Sequence, residues 1–207
     1  MGQTGGTSYP TSNSGWALEI SLDVETVHTM CDTVFLLVEA KSASNSDLLK
    51  AVDTAVNLGA TIISNSYGGS ESTTEISSDN HFNQPGIAIF ASAGDDGYGV
   101  SYPATSQYVV GVGGTKLTLT STGAYSSESA WTDGGSRYSV YETKPTWHMT
   151  LDARSVLLPT FLLMQTLHPV RLFMTVLNII TKKVGSRLVE QVFHLHLLLE
   201  SSRREIH

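Results

Sequence analysis

Apolar residues fall into two rhythms over the first part of the chain. Trp16–Met30 places Leu18, Leu22, Val27 and Met30 at helical spacing, with Ser14 positioned to cap the helix. Ser46–Leu58 repeats that spacing through Leu48, Leu49, Val52, Ala55, Val56 and Leu58, with Ser46 as N-cap and Gly59 at C′. Around these helices lie short unbroken apolar runs: Val34–Val38, Ala60–Ser64, Ile87–Ala91 and Val109–Val112. Runs without alternation read as strands covered on both faces. The last three end in glycine-rich turns at Tyr67–Gly69, Ser92–Gly97 and Gly113–Gly114. Helices alternating with such strands imply a parallel α/β sheet. Ligands bind outside the carboxyl ends of strands in sheets of this kind, which directs attention to the Ser64–Gly69 and Ser92–Gly97 loops.

The rhythm stops near Trp147. Seventeen of the 18 glycines lie at or before Gly135, and only Gly185 follows. Residues 1–150 carry 15 acidic and 5 basic side chains, whereas 151–207 carry 4 and 7, so net charge swings from -10 to +3. Leu fills 13 of the last 57 positions. Either a second module begins there, or the tail does not continue the fold. The overall charge of -7 argues against nucleic acid, which needs a basic footprint. An acidic, lysine-poor surface suits work at low pH. The single Cys31 excludes an internal disulfide and a cysteine-rich zinc site. The polar, glycine-rich start is no signal peptide and reads as a surface loop inside a longer parent domain. Leu157–Ile180 is apolar enough to suggest a membrane span, but Gln165, His168, Pro169 and Arg171 sit near its middle. A charge at mid-bilayer costs about 2.5–3.5 kcal/mol, so no membrane association is expected.

Glu19 and Asp23 are four residues apart, so both carboxylates project from one helix face. Two like charges repel there unless one holds a proton, which makes the pair either an acid–base device or a solvated helix face. Asp95 follows Ser92-Ala93-Gly94 at the carboxyl edge of a buried strand. A protonated Asp so placed can donate a hydrogen bond to a developing oxyanion; the plainer reading is an Asx-turn. Ser64–Gly69, including Ser66, Tyr67 and Gly68, suits a peptide laid alongside as an added strand, or is an ordinary turn. His28 and His81 have no triad spacing and read as structural or surface residues. His194 and His196 alternate in the tail, a weak two-ligand metal pattern.

Taken together these segments resemble the serine-carboxyl peptidases, the sedolisin family with a subtilisin-like fold. Gly15–Glu25, Leu36–Ala40, Ser64–Gly69, Ala91–Asp95, Val100–Ala104 and Val112–Thr115 carry the resemblance, extended by Glu128–Trp131 and Glu142–Trp147. It runs from about Gly15 to Trp147. It implies a serine-type endopeptidase working at acidic pH, secreted, monomeric, and acting on peptide or protein substrates. Glu19 then corresponds to the general base, Asp23 to the carboxylate supporting it, and Asp95 to the oxyanion-hole acid. The mechanism implied is acyl transfer through a serine. The family's nucleophile lies in a late Gly-Thr-Ser motif, and none follows Trp147. The family's C-terminal calcium loop also has no counterpart, so neither nucleophile nor metal site is assigned in this chain. A subtilisin-type Asp/His/Ser peptidase fits less well, because His-Gly-Thr and Asp-Ser-Gly are absent. The other readings are a catalytically dead peptidase-like module that binds peptides and an α/β domain anchored through Leu157–Ile180.

The sequence therefore divides into a partial, incomplete peptidase domain at 1–147 and an aberrant, poorly ordered tail at 148–207. The tail has a specific explanation. Codons for Thr160–Leu167, read from the third base of each preceding codon, can spell Asp-Val-Ser-Ala-Asp-Ala-Asp-Pro, the family's text before its nucleophile. The same phase over Lys183–Val192 can spell Gly-Trp-Val-Ala-Val-Gly-Gly-Thr-Ser, with the serine codon spanning Gln191 and Val192. A frameshift near Trp147–His148 accounts for both strings, in family order. Sequencing the coding DNA through Trp147 should find them in the alternative frame; their absence there removes the frameshift.

Overall fold

The computed structural model describes residues 1–30, 35–147, 155–157 and 161–165. Helix α1 spans Ser14–Met30. Its cap is Asn13 rather than Ser14: Trp16 N–H donates to Asn13 Oδ1 at 3.1 Å. Helix α2 spans Asn45–Asn57 and is capped by Ser44, whose side chain accepts from Asp47 N–H; Ser46 lies inside the helix. Gly59 follows at φ +85°, as its position at C′ suggested. The buried face of α2 is Leu49, Ala51, Val52, Thr54 and Ala55.

Three strands form the parallel part of the sheet: β1 (Ile62–Asn65), β2 (Ala88–Ser92) and β3 (Val110–Leu119). β1 pairs with β2 from Ile62↔Ala88 to Asn65↔Ala91, and β2 with β3 from Phe90↔Val110 to Ser92↔Val112. A short helix α3 (Glu75–Ser78) and a 3₁₀ turn (Asp79–His81) lie between β1 and β2. β3 runs far beyond the Val109–Val112 segment expected from its apolar content. Its outer half pairs antiparallel with β4 (Tyr125–Ala130), through Thr115↔Ala130. β5 (Tyr138–Thr143) and β6 (Ser155–Leu157) form a separate antiparallel pair. β7 (Phe161–Gln165) pairs parallel with β3 over Val112–Lys116. Val112 and Thr115 therefore each have partners on both sides, with β2 and β4 on one edge of β3 and β7 on the other.

The parallel α/β, subtilisin-like arrangement read from the sequence is present. Three local readings change. Residues 35–38 form no strand; this stretch is partly buried and only Glu39 bridges, to Gly2. Val34 lies outside the described residues. Leu18 is 69% exposed although it was assigned to the apolar face of α1, while Val27 is buried. The sheltered side of α1 instead carries Asp23. Two short strands, β6 and β7, occur beyond Trp147, where turn-poor text gives no sign of them. Most of Leu157–Ile180, together with His194 and His196, lies outside the described residues. Among the described residues no helix is long and apolar enough to cross a membrane.

The core gathers α2 (Leu49, Val52, Ala55), β1 (Ile63) and β2 (Ile89, Ala91), with Val38, Phe82, Tyr102 and Val109 around them. Phe82 and Tyr102 meet edge to face, centroids 5.9 Å apart. Ile63 is fully buried, so Ile63→Ala should lower unfolding free energy by about 2–5 kcal/mol. Leu18→Ala should stay within about 0.5 kcal/mol. Denaturant midpoints of the two variants against the parent chain check both values.

Candidate active site

The site is the gap left where β3 changes partners. β2 leaves β3 at Ser92↔Val112, and β4 joins at Thr115↔Ala130. Between them Ala93 N–H donates to Val112 O (2.8 Å) and Trp131 N–H to Gly114 O (3.0 Å). The loops after β2 and after β4 are thereby brought together. Gly135 N–H donates to Gly94 O at 2.7 Å, Gly97 N–H to Asp133 O at 2.8 Å, and Ser136 N–H to Gly97 O at 3.0 Å. This junction tolerates no side chain at two points. A Cβ on Gly135 would lie 2.0 Å from Ala93 O. Gly94 sits at φ +102°, and a Cβ there would lie 2.5 Å from Ser101 Oγ.

A cleft of about 940 Å³ opens over this junction. α1 supplies Trp16 and Glu19 to one wall, and the segment after β1 supplies Ser66, Tyr67 and Gly68. The β2 loop supplies Asp95 and Asp96, and the β4 loop Trp131 and Asp133. The charged side chains lining it, Glu19, Asp95, Asp96 and Asp133, are all carboxylates. Asp95 is exposed at the cleft. A neighbouring cavity of about 580 Å³ shares Glu19, Ser66 and Tyr67 with the cleft and adds Asp23 and Ser64. Glu19 thus stands in the wall between the two spaces, with Asp23 behind it.

Asp23 is half-buried, and burial holds its carboxyl up at about 7. Ser66 Oγ donates to Asp23 Oδ1 at 3.3 Å and opposes the rise, while the charge of Glu19 adds to it. Burial thus favours the protonated form of Asp23, which relieves the repulsion that the Glu19/Asp23 spacing creates. Burial also raises the Tyr67 phenol, whose hydroxyl is enclosed without a hydrogen-bond partner.

Of the residues read from the sequence, Glu19, Asp95, Ser66, Tyr67 and Gly68 line one cleft. Ser64 is buried in β1 and faces the second cavity. Gly69 exchanges both backbone hydrogen bonds with Tyr102, at 2.9 Å each, so it has none left for an added strand. The stretch facing the cleft narrows to Ser66–Gly68. His28 is exposed, and His81 Nδ1 meets Asp53 Oδ1 at 2.7 Å. The chain does contain a Gly-Thr-Ser, Gly6-Thr7-Ser8, but it precedes α1 and Ser8 does not line the cleft. Ser101, Trp131 and Asp133 line the cleft without having been singled out. The Val100–Ala104 and Glu128–Trp131 motifs were the available signals for the first two. Among the described residues, no group of three or more His, Cys, Asp or Glu side chains is arranged to hold a metal ion.

The model of the subtilase family matches residues 11–153, more than half of the chain. Sedolisin from Pseudomonas sp. (strain 101) is 50% identical over 60 residues, 24% of this chain and 10% of that protein. Kumamolisin from Bacillus sp. (strain MN-32) is 31% identical over 150 residues, 63% of this chain and 27% of that protein. The solved structure of Pseudomonas sedolisin, a serine-carboxyl proteinase complexed with pseudo-iodotyrostatin, superposes with a TM-score of 0.62 at 28% identity. That superposition covers 77% of this chain and 55% of the sedolisin chain. The present chain thus spans only part of each of these proteins.

Carboxyl-resolved NMR should find Asp23 titrating at about 7. Ser66→Ala should move that midpoint upward, because it removes the bond that stabilises the charged form. Glu19→Gln should move it downward, because it removes the repelling charge. A midpoint in the ordinary Asp range, unmoved by either change, contradicts the buried setting of the pair.

Proposed function

Because the chain belongs to the subtilase family and is sedolisin-like within it, we propose that residues 1–147 are the acid–base half of a serine-carboxyl endopeptidase. The observation that carries this reading is the placement of Glu19 and Asp95 on one cleft, with Asp23 enclosed behind Glu19. A peptide lies along Ser66–Gly68 as an added strand, with its scissile carbonyl over the junction of the β2 and β4 loops. Asp23 keeps its proton in acid and supports the Glu19 carboxylate, removing the repulsion between them. Glu19 is then the carboxylate that takes the proton of an attacking serine. Asp95 donates a hydrogen bond to the oxygen that gains charge in the tetrahedral intermediate. The acyl-enzyme forms as the amine departs with a proton from Glu19, and water releases the acid by the reverse path.

Reliance on carboxyl groups rather than histidine places the working range at acidic pH. A secreted location follows from the same resemblance. The serine that completes the mechanism belongs to the alternative reading frame of the tail, so the present chain binds peptides and does not cleave them. A second reading, a peptide-binding module that never carried a nucleophile, differs only in what that frame encodes.

Pure protein at about pH 3–5 should show no turnover of a peptide substrate. A chain whose last part is read in the alternative frame from His148 should cleave it. In that chain Glu19→Gln and Asp95→Asn should each lower kcat by about 10²–10³-fold with KM little changed. Turnover by the present chain overturns the missing-nucleophile reading, and inactivity of the reframed chain favours the binding module.

A further inference from the structure

Away from the cleft, four acidic side chains interact with one another. Glu75 and Asp79 come from α3 and the 3₁₀ turn, Glu142 from β5, and Glu71 from the loop before α3. Glu75, Asp79 and Glu142 are only 2%, 4% and 2% exposed. Glu75 Oε1, Asp79 Oδ2 and Glu142 Oε1 are enclosed and have no donor. The hydrogen bonds that do reach the group come from Tyr102 Oη to Asp79 Oδ1 (3.2 Å), from the Ser106 side chain to Asp79, and from Ser72 N–H to Glu75 Oε2 (2.6 Å). The carboxyl of Glu71 accepts from Ser139 Oγ and from Val140 N–H (3.1 Å). The remaining contacts join carboxyl to carboxyl, Asp79 with Glu142 and Glu71 with Glu75. Two carboxylates cannot hydrogen-bond each other, because both only accept; one must hold a proton.

The position of this cluster gives it a consequence. β5 pairs only with β6 and with no strand of the larger sheet among the described residues. The Ser139 and Val140 bonds to Glu71 and the Glu142–Asp79 contact tie β5 to the body of the domain. We propose that shared protons among Glu71, Glu75, Asp79 and Glu142 form an acid-closed joint that docks β5 on the domain and releases it in alkali. The charged groups acting on this joint are these four carboxyls themselves. Tyr102 also faces it, and burial raises its phenol further, so it stays a neutral donor throughout. His81, on the same turn as Asp79, is turned to Asp53 on α2.

Burial first, then mutual repulsion, raises Glu142 to about 8; burial raises Glu75 to about 7 and also raises Asp79. A raised carboxyl binds more protons folded than unfolded. Its contribution is complete below the ordinary carboxylate range and is lost as pH rises towards about 8. The joint is independent of the peptidase reading, because none of its residues lines the cleft.

The test uses the full chain. Hydrogen exchange of the Tyr138–Thr143 amides, corrected for intrinsic rates, is followed from about pH 5 to about pH 9. Protection should hold in acid and fall by up to about tenfold per pH unit for each linked proton as the joint ionises. Glu75→Gln combined with Glu142→Gln supplies donors that do not titrate and leaves Asp79 and Glu71 bonded to amides, so it should make the pH dependence of protection clearly shallower than in the parent chain. Carboxyl-resolved NMR of the unmodified chain gives a second readout should that variant not fold: Glu142 should still be protonated at about pH 6. Protection of β5 that ignores pH, or a Glu142 carboxyl titrating in the ordinary range, overturns the joint.

Discussion

Strand β3 has more backbone to satisfy than β2 can reach. β2 covers Val110–Val112, and β4 takes over only at Thr115. Buried backbone groups must find partners, so the stretch of β3 at Val112–Gly114 that neither strand covers, itself buried, takes loop amides from Ala93 and Trp131. That recruitment draws the two loops into mutual hydrogen bonds and leaves a cleft above them. The cleft residues of the β2 and β4 loops are positioned by this change of partners. Asp95 follows Gly94, which is locked to Gly135; Trp131 and Asp133 flank the same lock; and α1 closes the far side with Glu19.

Burial of carboxyl groups recurs as a second theme, with one cause and two settings. Behind Glu19, partial enclosure raises Asp23, and a single hydroxyl from Ser66 opposes the rise. At the β5 joint enclosure is nearly complete and carboxyls face carboxyls. In both places the neutral form is favoured, because removing a charge from water without a cation costs more than binding a proton. At these two places the folded chain binds more protons than the unfolded one over the mildly acidic to neutral range, so their contribution to stability is lost as pH rises. This agrees with the lysine-poor composition, since few cations are at hand to compensate the enclosed acids.

The legible parts of the fold were those with strong apolar rhythm. α2, β1, β2 and the start of β3 lie close to where unbroken apolar runs or helical spacing put them. The caps shifted by one or two positions to Asn13 and Ser44, because several Ser and Asn side chains in each stretch can accept the same amide. β4 was invisible because all six of its residues are exposed, so no alternation marks it. Leu18 misled because α1 shelters an acidic residue rather than a full apolar stripe. In the site, Glu19, Asp23 and Asp95 were legible through spacing, loop position and family pattern. Asp133 was not, since an aspartate in turn-rich text outside the family motifs carries no local mark of the cleft it will line, and Ser101 was marked only by the Val100–Ala104 motif.

The sequence by itself determined the parallel α/β class, the acid pair on one helix, the acid at a strand's carboxyl end, and the break near Trp147. Each rests on local chemistry: periodicity, residue spacing, turn residues and composition. Only the tertiary structure decided which carboxyls are enclosed, which part of Ser64–Gly69 faces the cleft, and what β5 is hydrogen-bonded to. Those outcomes depend on burial and on backbone partners many residues distant, and neither can be read from neighbours along the chain. Asp23 and Glu142 are ordinary acids as text; enclosure by the folded chain raises their proton affinity.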